Sequence, residues 1–172
     1  MRIYTIGHST RTIEDFIKIL KTYDIEQLVD VRTIAKSRHN PQFGEQELDK
    51  SLNDVKIKYI RLERLGGLRK TTESSPNKAW QNKSFRGYAD YMQTIEFAKG
   101  IEELLSLGVD GNTAIMCAEA VPWRCHRSLI GDALLVRDVD VEDIMNEKNT
   151  KPHTMTSFAH VTGIVVTYPE VS

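Results

Sequence analysis

The chain has 172 residues, the length of one domain, and its 40% apolar and 27% charged residues exclude disordered, collagen-like and coiled-coil proteins. No stretch approaches the roughly 18 apolar residues that a bilayer span needs, and the first residues lack a secretory signal, so we expect a cytoplasmic protein without a membrane partner. The net charge of −1 excludes a general attraction to nucleic acid or anionic membranes.

Strand and helix patterns alternate in the first half of the chain. Residues 2–7 mix β-branched and aromatic side chains and end in glycine, which predicts a strand leading into a turn. Apolar residues at helical spacing within 13–20 predict an amphipathic helix. Strands are predicted again at 25–31 and 58–62, with a helix at 44–53 between them.

The second half begins with a segment that has no apolar period. Residues 66–87 open with a glycine pair and are rich in Thr, Ser, Asn and Lys, which predicts a long loop. Residues 88–108 predict a helix that ends at its terminal glycine. A buried strand at 113–117, a helix at 129–134 and a strand at 139–145 follow.

This order of elements predicts the fold class. We expect a single α/β domain over residues 1–172, with a mainly parallel sheet flanked by helices and a long loop at 66–87, because crossovers of this length connect parallel strands. Ligands of such open sheets bind beyond the carboxyl ends of the strands. The residues that follow each strand are therefore the first candidates for a site.

Polar residues or glycines follow four of the predicted strands. They are His8 and Ser9 after the first strand, Asp30 and Arg32 after the second, Gly66 and Gly67 after the third, and Cys117 and Glu119 at the end of the fourth. The glycines allow a close approach to a ligand or simply form a turn. Asp30 and Arg32 could equally form a structural ion pair.

The segment after the fourth predicted strand has the features of an anion site. Pro122 suits the first turn of a helix, and Cys125, His126 and Arg127 follow it. A helix amino terminus offers free N–H groups and a positive dipole end, and arginine adds two parallel donors for phosphate or carboxylate. We therefore expect this segment to bind negative charge.

The two cysteines allow several interpretations. Cys117 near Arg127, His126 or a helix end would have a lowered pKa and act as a nucleophile, with Glu119 as an acid, a base or a group that orients His126. Alternatively, Cys117 and Cys125 are small core residues, or they form a disulfide. A third alternative is a zinc or iron site that adds histidine ligands, although the spacing fits no standard motif. Those ligands would be Cys117, Cys125, His126 and His8.

Basic residues are concentrated in two segments. The stretch from Arg32 to Phe43 contains bases and no acid, and the predicted loop carries five more bases. These are Arg69, Lys70, Lys78, Lys83 and Arg86. Such segments could track a phosphate backbone, so a nucleic-acid-binding module without catalysis is the alternative function.

Seven short sequence blocks follow one another over nearly the whole chain. In order, they are YTIGHST, LVDVRT, SRHNPQF, RLGGLR, RGYADYM, MCAEAVPWRCHRSLI and FAHVTGIVVTYP. With them the sequence resembles the family called domain of unknown function 488. The resemblance implies that the matching polar positions form one cluster. These are His8, Ser9, Asp30, Arg32, Ser37, Arg38, Gly66, Gly67, Tyr88, Cys117, Glu119, Cys125, His126 and Arg127. The chain departs from the family at Ile34-Ala35, where many members have a proline, and at Asp143-Ile144, where they have His-Ile.

Together these features predict an enzyme that acts on an anionic substrate, such as a phosphorylated compound, a nucleotide or a nucleic-acid end. In this hypothesis three arginines hold the anion, Glu119 or His126 moves protons, and Cys117 is the nucleophile or a metal ligand. The arginines are Arg32, Arg38 and Arg127. The sequence assigns no cofactor and no oligomeric state.

Overall fold

A six-stranded sheet forms the centre of the protein, which we describe from a computed structural model covering residues 1–170. Its strands are β1 (Arg2–Gly7), β2 (Gln27–Asp30), β3 (Lys58–Arg61), β4 (Thr113–Cys117), β5 (Asp140–Ile144) and β6 (Thr150–Pro152). Their order is β3-β2-β4-β1-β5-β6, and only β6 at the edge runs antiparallel to its neighbour. A separate hairpin follows, made of β7 (His160–Thr162) and β8 (Val165–Thr167).

Helices cover both faces of the sheet. They are α1 (Ile13–Thr22), α2 (Glu45–Asp54), α3 (Lys83–Tyr91), α4 (Ile95–Asp110) and α5 (Arg127–Leu135). α1 and α2 bury their apolar sides in one hydrophobic cluster, and α3, α4 and α5 bury theirs in a second cluster on the opposite face. The prediction of an α/β fold with a mainly parallel sheet is therefore confirmed. Within residues 1–170, no helix has the length and apolar character needed to cross a membrane.

The predicted helix over 88–108 is wrong in its bounds. Two helices cover this region, and the first begins inside the predicted loop, because the Asn82 side chain accepts hydrogen bonds from the backbone N–H groups of Ser84 and Phe85. Thr94 caps the second helix in the same way. That helix continues past Gly108, where an added Cβ would lie 2.9 Å from the Ile3 side chain. This glycine therefore serves close packing rather than helix termination.

The long loop is shorter than predicted, covering residues 66–82, and polar side chains anchor it. The Asp90 carboxylate on α3 accepts hydrogen bonds from the side chains of Thr71, Ser75 and Asn77. Asn77 is fully buried and also accepts a bond from the backbone N–H of Tyr168. The loop is thus attached to α3 and to the carboxyl-terminal hairpin.

A buried carboxylate on α5 fastens the tail of the chain to the domain. Asp132 is fully buried and accepts hydrogen bonds from His153 Nε2 at 2.9 Å, from the Thr156 hydroxyl at 2.6 Å and from the Tyr168 hydroxyl at 2.7 Å. Asp143 lies on the other side of the His153 ring, with its Oδ2 3.7 Å from Nδ1. Burial opposes charge on this imidazole, but the hydrogen bonds and charges of the two carboxylates raise the pKa of His153 to about 9.

This arrangement predicts a pH-dependent stability. Because the folded-state pKa lies above the unfolded value, the stabilisation by His153 is complete below pH 6.5 and is lost as the pH rises through about 9. We expect wild type to exceed His153→Gln in free energy of unfolding by up to about 3 kcal/mol near pH 6, with the gap shrinking towards pH 9. Urea titrations at several pH values measure it.

The matched control is His160→Gln, since His160 is exposed on β7. Its free energy of unfolding should follow that of wild type at every pH. A gap between wild type and His153→Gln that is the same at pH 6 and pH 9 would show that the ring is neutral in the folded protein.

Candidate functional site

The strand register brings distant polar residues to one edge of the sheet. β4 lies between β1 and β2, with Gly7 opposite Cys117 and Asp30 opposite Met116. The residues that follow these strands therefore meet around Cys117. A cavity of about 730 Å³ opens there, within the range of small-molecule sites.

Most of the site residues predicted from the sequence line this cavity. They are His8, Ser9, Arg32, Ser37, Gly67, Tyr88, Cys117, Glu119, Cys125 and His126. The segment after β4 lies directly against the end of β1, because an added Cβ on Gly7 would stand only 1.8 Å from the Glu119 carbonyl oxygen. A glycine is thus needed at this position for the two chain segments to meet.

A thiol pair lines the cavity, and a buried arginine contacts one of the two sulfurs. The Cys125 thiol donates to Cys117 Sγ at 2.7 Å, and Arg127 Nη1 donates to the same sulfur at 2.8 Å. Arg127 is fully buried, and within the described residues 1–170 no carboxylate forms an ion pair with it. A buried charge requires a counter-charge, and the Cys117 thiolate is placed to supply it.

The two cysteines therefore differ in acidity. Burial alone would raise the pKa of Cys117, but the hydrogen bond from Cys125 and the charge of Arg127 outweigh it and lower the pKa to about 7. The bond to Cys117, together with burial, raises the pKa of Cys125 well above its usual value. Near neutral pH Cys117 is therefore the thiol that ionises to a thiolate, whereas Cys125 keeps its proton.

His126 stands beside Cys125 as a neutral ring. Its Nε2 lies 3.0 Å from the Val31 carbonyl, which can only accept, so Nε2 carries the hydrogen and Nδ1 faces Cys125 Sγ at 3.5 Å. Burial lowers the pKa of His126 to about 4. The ring packs on Tyr88, and Gly67 leaves it room, since a Cβ there would lie 3.2 Å from Nδ1.

Arg32 forms the opposite wall and is held in place by Asp30. The guanidinium donates to both oxygens of the fully buried carboxylate, at 2.9 and 2.7 Å, which is the structural ion pair considered from the sequence. Arg32 Nη1 also lies 3.4 Å from His8 Nε2, and the His8 ring stacks on Phe43. His8 Nδ1 lies 2.8 Å from the Ser9 carbonyl, which can only accept, so Nδ1 carries the hydrogen and Nε2 faces Arg32 as an acceptor. Burial lowers the pKa of His8.

Four predicted site residues lie outside the cavity lining: Asp30, Arg38, Gly66 and Arg127. Arg38 is exposed in the turn that the Asn40 N–H closes onto the Ser37 hydroxyl, and it is not among the residues that line the cavity. Arg127 was also expected to hold the anion; its Nη1 and Nη2 groups donate to Cys117 Sγ and to the carbonyls of Glu119 and Ala120, and its buried Nε has no partner among the described residues. Arg127 therefore contacts the Cys117 thiol from outside the cavity lining.

The predicted helix start at Pro122 is also wrong. Pro122–Arg124 form one separate 3₁₀ turn, Cys125 is extended with φ −136° and ψ 148°, and α5 begins at Arg127. The extended residue interrupts the helix and brings the Cys125 sulfur against Cys117. The local sequence pattern could not predict the contact between the two sulfurs, because Cys117 belongs to a strand that ends eight residues earlier.

The structure adds cavity residues that the sequence did not single out, among them Lys36, Asn82, Ser84, Phe85 and Arg124. Lys36 belongs to the basic stretch and Arg124 directly precedes Cys125, so both had a signal in their neighbours. Asn82, Ser84 and Phe85 line the cavity because the amino-terminal end of α3 lies beside it. Ser9 and Leu68, which also line the cavity, adopt left-handed φ values of 50° and 55°, a strain common at functional sites.

The alternative functions receive less support from the geometry. Within residues 1–170, no three His, Cys, Asp or Glu side chains are placed to hold a metal ion. In the basic loop, the Arg69 guanidinium stacks on the Tyr91 ring at 3.7 Å and Arg86 Nε donates to the Trp80 carbonyl. These two arginines therefore serve internal contacts rather than an open stripe for a phosphate backbone.

Comparison with known proteins identifies a family. The family model described as "Domain of unknown function DUF488" matches residues 12–134. The chain belongs to this family. No curated protein and no solved structure matches the chain. The matched DUF488 region contains β2 to β4 and both cysteines, whereas β1, His8 and Ser9 precede it.

The acidity of Cys117 in this DUF488 protein should depend on the hydrogen bond that it accepts from Cys125. Cys125→Ala removes the donor, so we expect the pH midpoint for alkylation of Cys117 to rise from about 7 by about one pH unit. Cys125→Ser keeps a donor and should leave the midpoint near 7. Peptide mass spectrometry after timed iodoacetamide treatment follows Cys117 alone. Equal midpoints in Cys125→Ala and wild type would assign the whole effect to Arg127.

Proposed function

We propose that this protein is an enzyme that uses the Cys117 thiolate as a nucleophile on a small anionic substrate bound in the strand-end cavity. One observation carries the proposal: a sulfur that accepts hydrogen bonds from a fully buried arginine and a second thiol forms part of the lining of a 730 Å³ cavity. A cysteine with only a packing role has no need of a buried cation beside it.

The charges around the cavity favour an anion. Of the lining residues within 1–170, Arg32, Lys36 and Arg124 are cationic and Glu119 is acidic. Asp30 balances Arg32, so the exposed Lys36 and Arg124 provide the attraction that is free to act on a ligand. The volume of about 730 Å³ favours a small phosphorylated or carboxylated compound.

The chemistry begins with attack by Cys117. Its sulfur forms a bond to the electrophilic atom of the substrate, and the leaving group departs with the electron pair of the broken bond. Arg127 stabilises the thiolate before attack and is a positioning residue. Glu119 lines the cavity two residues after Cys117 and is our candidate for the group that delivers a proton to the leaving group. We place this reaction in the cytosol, where reducing conditions keep thiols free.

Two alkylating reagents that differ in charge test the proposal without knowledge of the substrate. Iodoacetate is anionic and iodoacetamide is neutral, so the rate with iodoacetate divided by the rate with iodoacetamide reports the electrostatic potential at Cys117. We expect this ratio to be several-fold higher than for free cysteine and to fall as salt is added. Inorganic phosphate should slow both reactions by occupying the cavity.

The double variant Lys36→Gln/Arg124→Gln should lower the ratio towards that of free cysteine. Lys50→Gln/Lys78→Gln is the matched control, because both lysines are exposed and neither lines the cavity. A wild-type ratio equal to that of free cysteine, or a Cys117 that no reagent reaches, would overturn the proposal. Once a substrate is found by screening, Cys117→Ser, which keeps an acceptor for Arg127, should retain the fold and lose turnover.

A further inference from the structure

We propose that Cys117 and Cys125 act together as a catalytic dithiol that reduces a small anionic disulfide, with a Cys117–Cys125 disulfide as the oxidised form of the enzyme. This inference rests on the proposed function, because it uses the same nucleophile and the same cavity. It names the electrophilic atom as sulfur and gives Cys125 a chemical step of its own.

The geometry of the thiol pair carries the inference. The two sulfur atoms are 2.7 Å apart, and a disulfide bond of about 2.05 Å requires them to approach by roughly 0.7 Å more. Both cysteines are free, and each contributes to the lining of the cavity. A substrate attached to Cys117 would therefore lie beside a second thiol at bonding range.

The surroundings assign different roles to the two thiols. Arg127 donates to Cys117 and holds its charge, which makes Cys117 the attacking sulfur. Cys125 keeps its proton in the resting enzyme and contacts His126 Nδ1 at 3.5 Å. In an enzyme that only hydrolyses its covalent intermediate, a second sulfur this close to the first would compete with water for that intermediate.

The reaction balances in two displacements. The Cys117 thiolate attacks one sulfur of the substrate disulfide, a mixed disulfide forms, and the other half leaves as a thiolate. Cys125 gives its proton to that thiolate, with His126 Nδ1 placed to relay it, and then attacks Cys117 Sγ. The Cys117–Cys125 bond forms and the second half leaves as a thiolate. The substrate gains two electrons, the dithiol loses them, and an external dithiol returns the enzyme to its reduced state.

The size and charge of the cavity favour a disulfide over a peroxide as the oxidant. Hydrogen peroxide is small and neutral, so it needs neither a cavity of 730 Å³ nor the cations Lys36 and Arg124. A disulfide of carboxylated thiols uses both features. Glutathione disulfide, which carries carboxylates on both halves, is therefore the probe of choice.

The test follows thiols and adducts in the full chain after treatment with glutathione disulfide. Wild type should lose both free thiols, gain a Cys117–Cys125 disulfide seen in peptide mass spectrometry and carry no glutathione. Cys125→Ser should stop at the first displacement, with one glutathione per chain on Cys117. Cys117→Ser should not react with glutathione disulfide, because Arg127 Nη1 donates to the Cys117 sulfur and activates that thiol rather than Cys125.

Parallel treatment with hydrogen peroxide and iodoacetate separates the outcomes. If wild type keeps both thiols in glutathione disulfide while iodoacetate still labels Cys117, the dithiol inference is overturned and the proposed function stands. If peroxide forms the Cys117–Cys125 disulfide and glutathione disulfide does not, the disulfide substrate is overturned. If neither iodoacetate nor the disulfide reaches Cys117, both proposals fail together.

Discussion

The candidate site depends on one electrostatic constraint, the burial of the Arg127 guanidinium without a carboxylate partner among the described residues. Its Nη1 and Nη2 groups donate to two backbone carbonyls and to Cys117 Sγ, while the buried Nε has no partner among the described residues, so the thiolate is the anion that offsets the buried charge. The same contact fixes the path of the segment after β4, since the carbonyls belong to Glu119 and Ala120. Thiol acidity and loop conformation are therefore two consequences of a single interaction.

Other buried charges in the protein are paired, and each pair anchors a functional or terminal segment. Asp30 fixes Arg32 at the wall of the cavity, and Asp132 ties the carboxyl-terminal segment to α5 through His153. These pairs leave the cavity bounded by groups whose positions are set by the fold. A rigid wall of this kind is what a nucleophile needs to meet its substrate in one orientation.

The family description of this chain states no activity, and the chemistry of the site supplies a specific hypothesis in its place. Of the interpretations open to the cysteines, the geometry favours an activated pair over core packing, because Cys117 receives a charged donor and both sulfurs reach the cavity. The small-molecule interpretation likewise gains from the volume of the cavity. The basic loop loses two arginines to internal contacts, which weakens the nucleic-acid alternative.

The sequence by itself determined the alternation of strands and helices, the parallel sheet and the arrival of His8, Arg32 and Cys117 at strand ends. Local periodicity and capping residues encode these features, since neighbouring residues within one element decide them. Only the tertiary structure decided that Arg127 lies buried beside Cys117, that Arg38 is not part of the cavity lining and that Cys125 lies outside α5 in contact with Cys117. The physical reason is that charge burial and sulfur contact depend on which distant segments meet, and no local pattern records that distance.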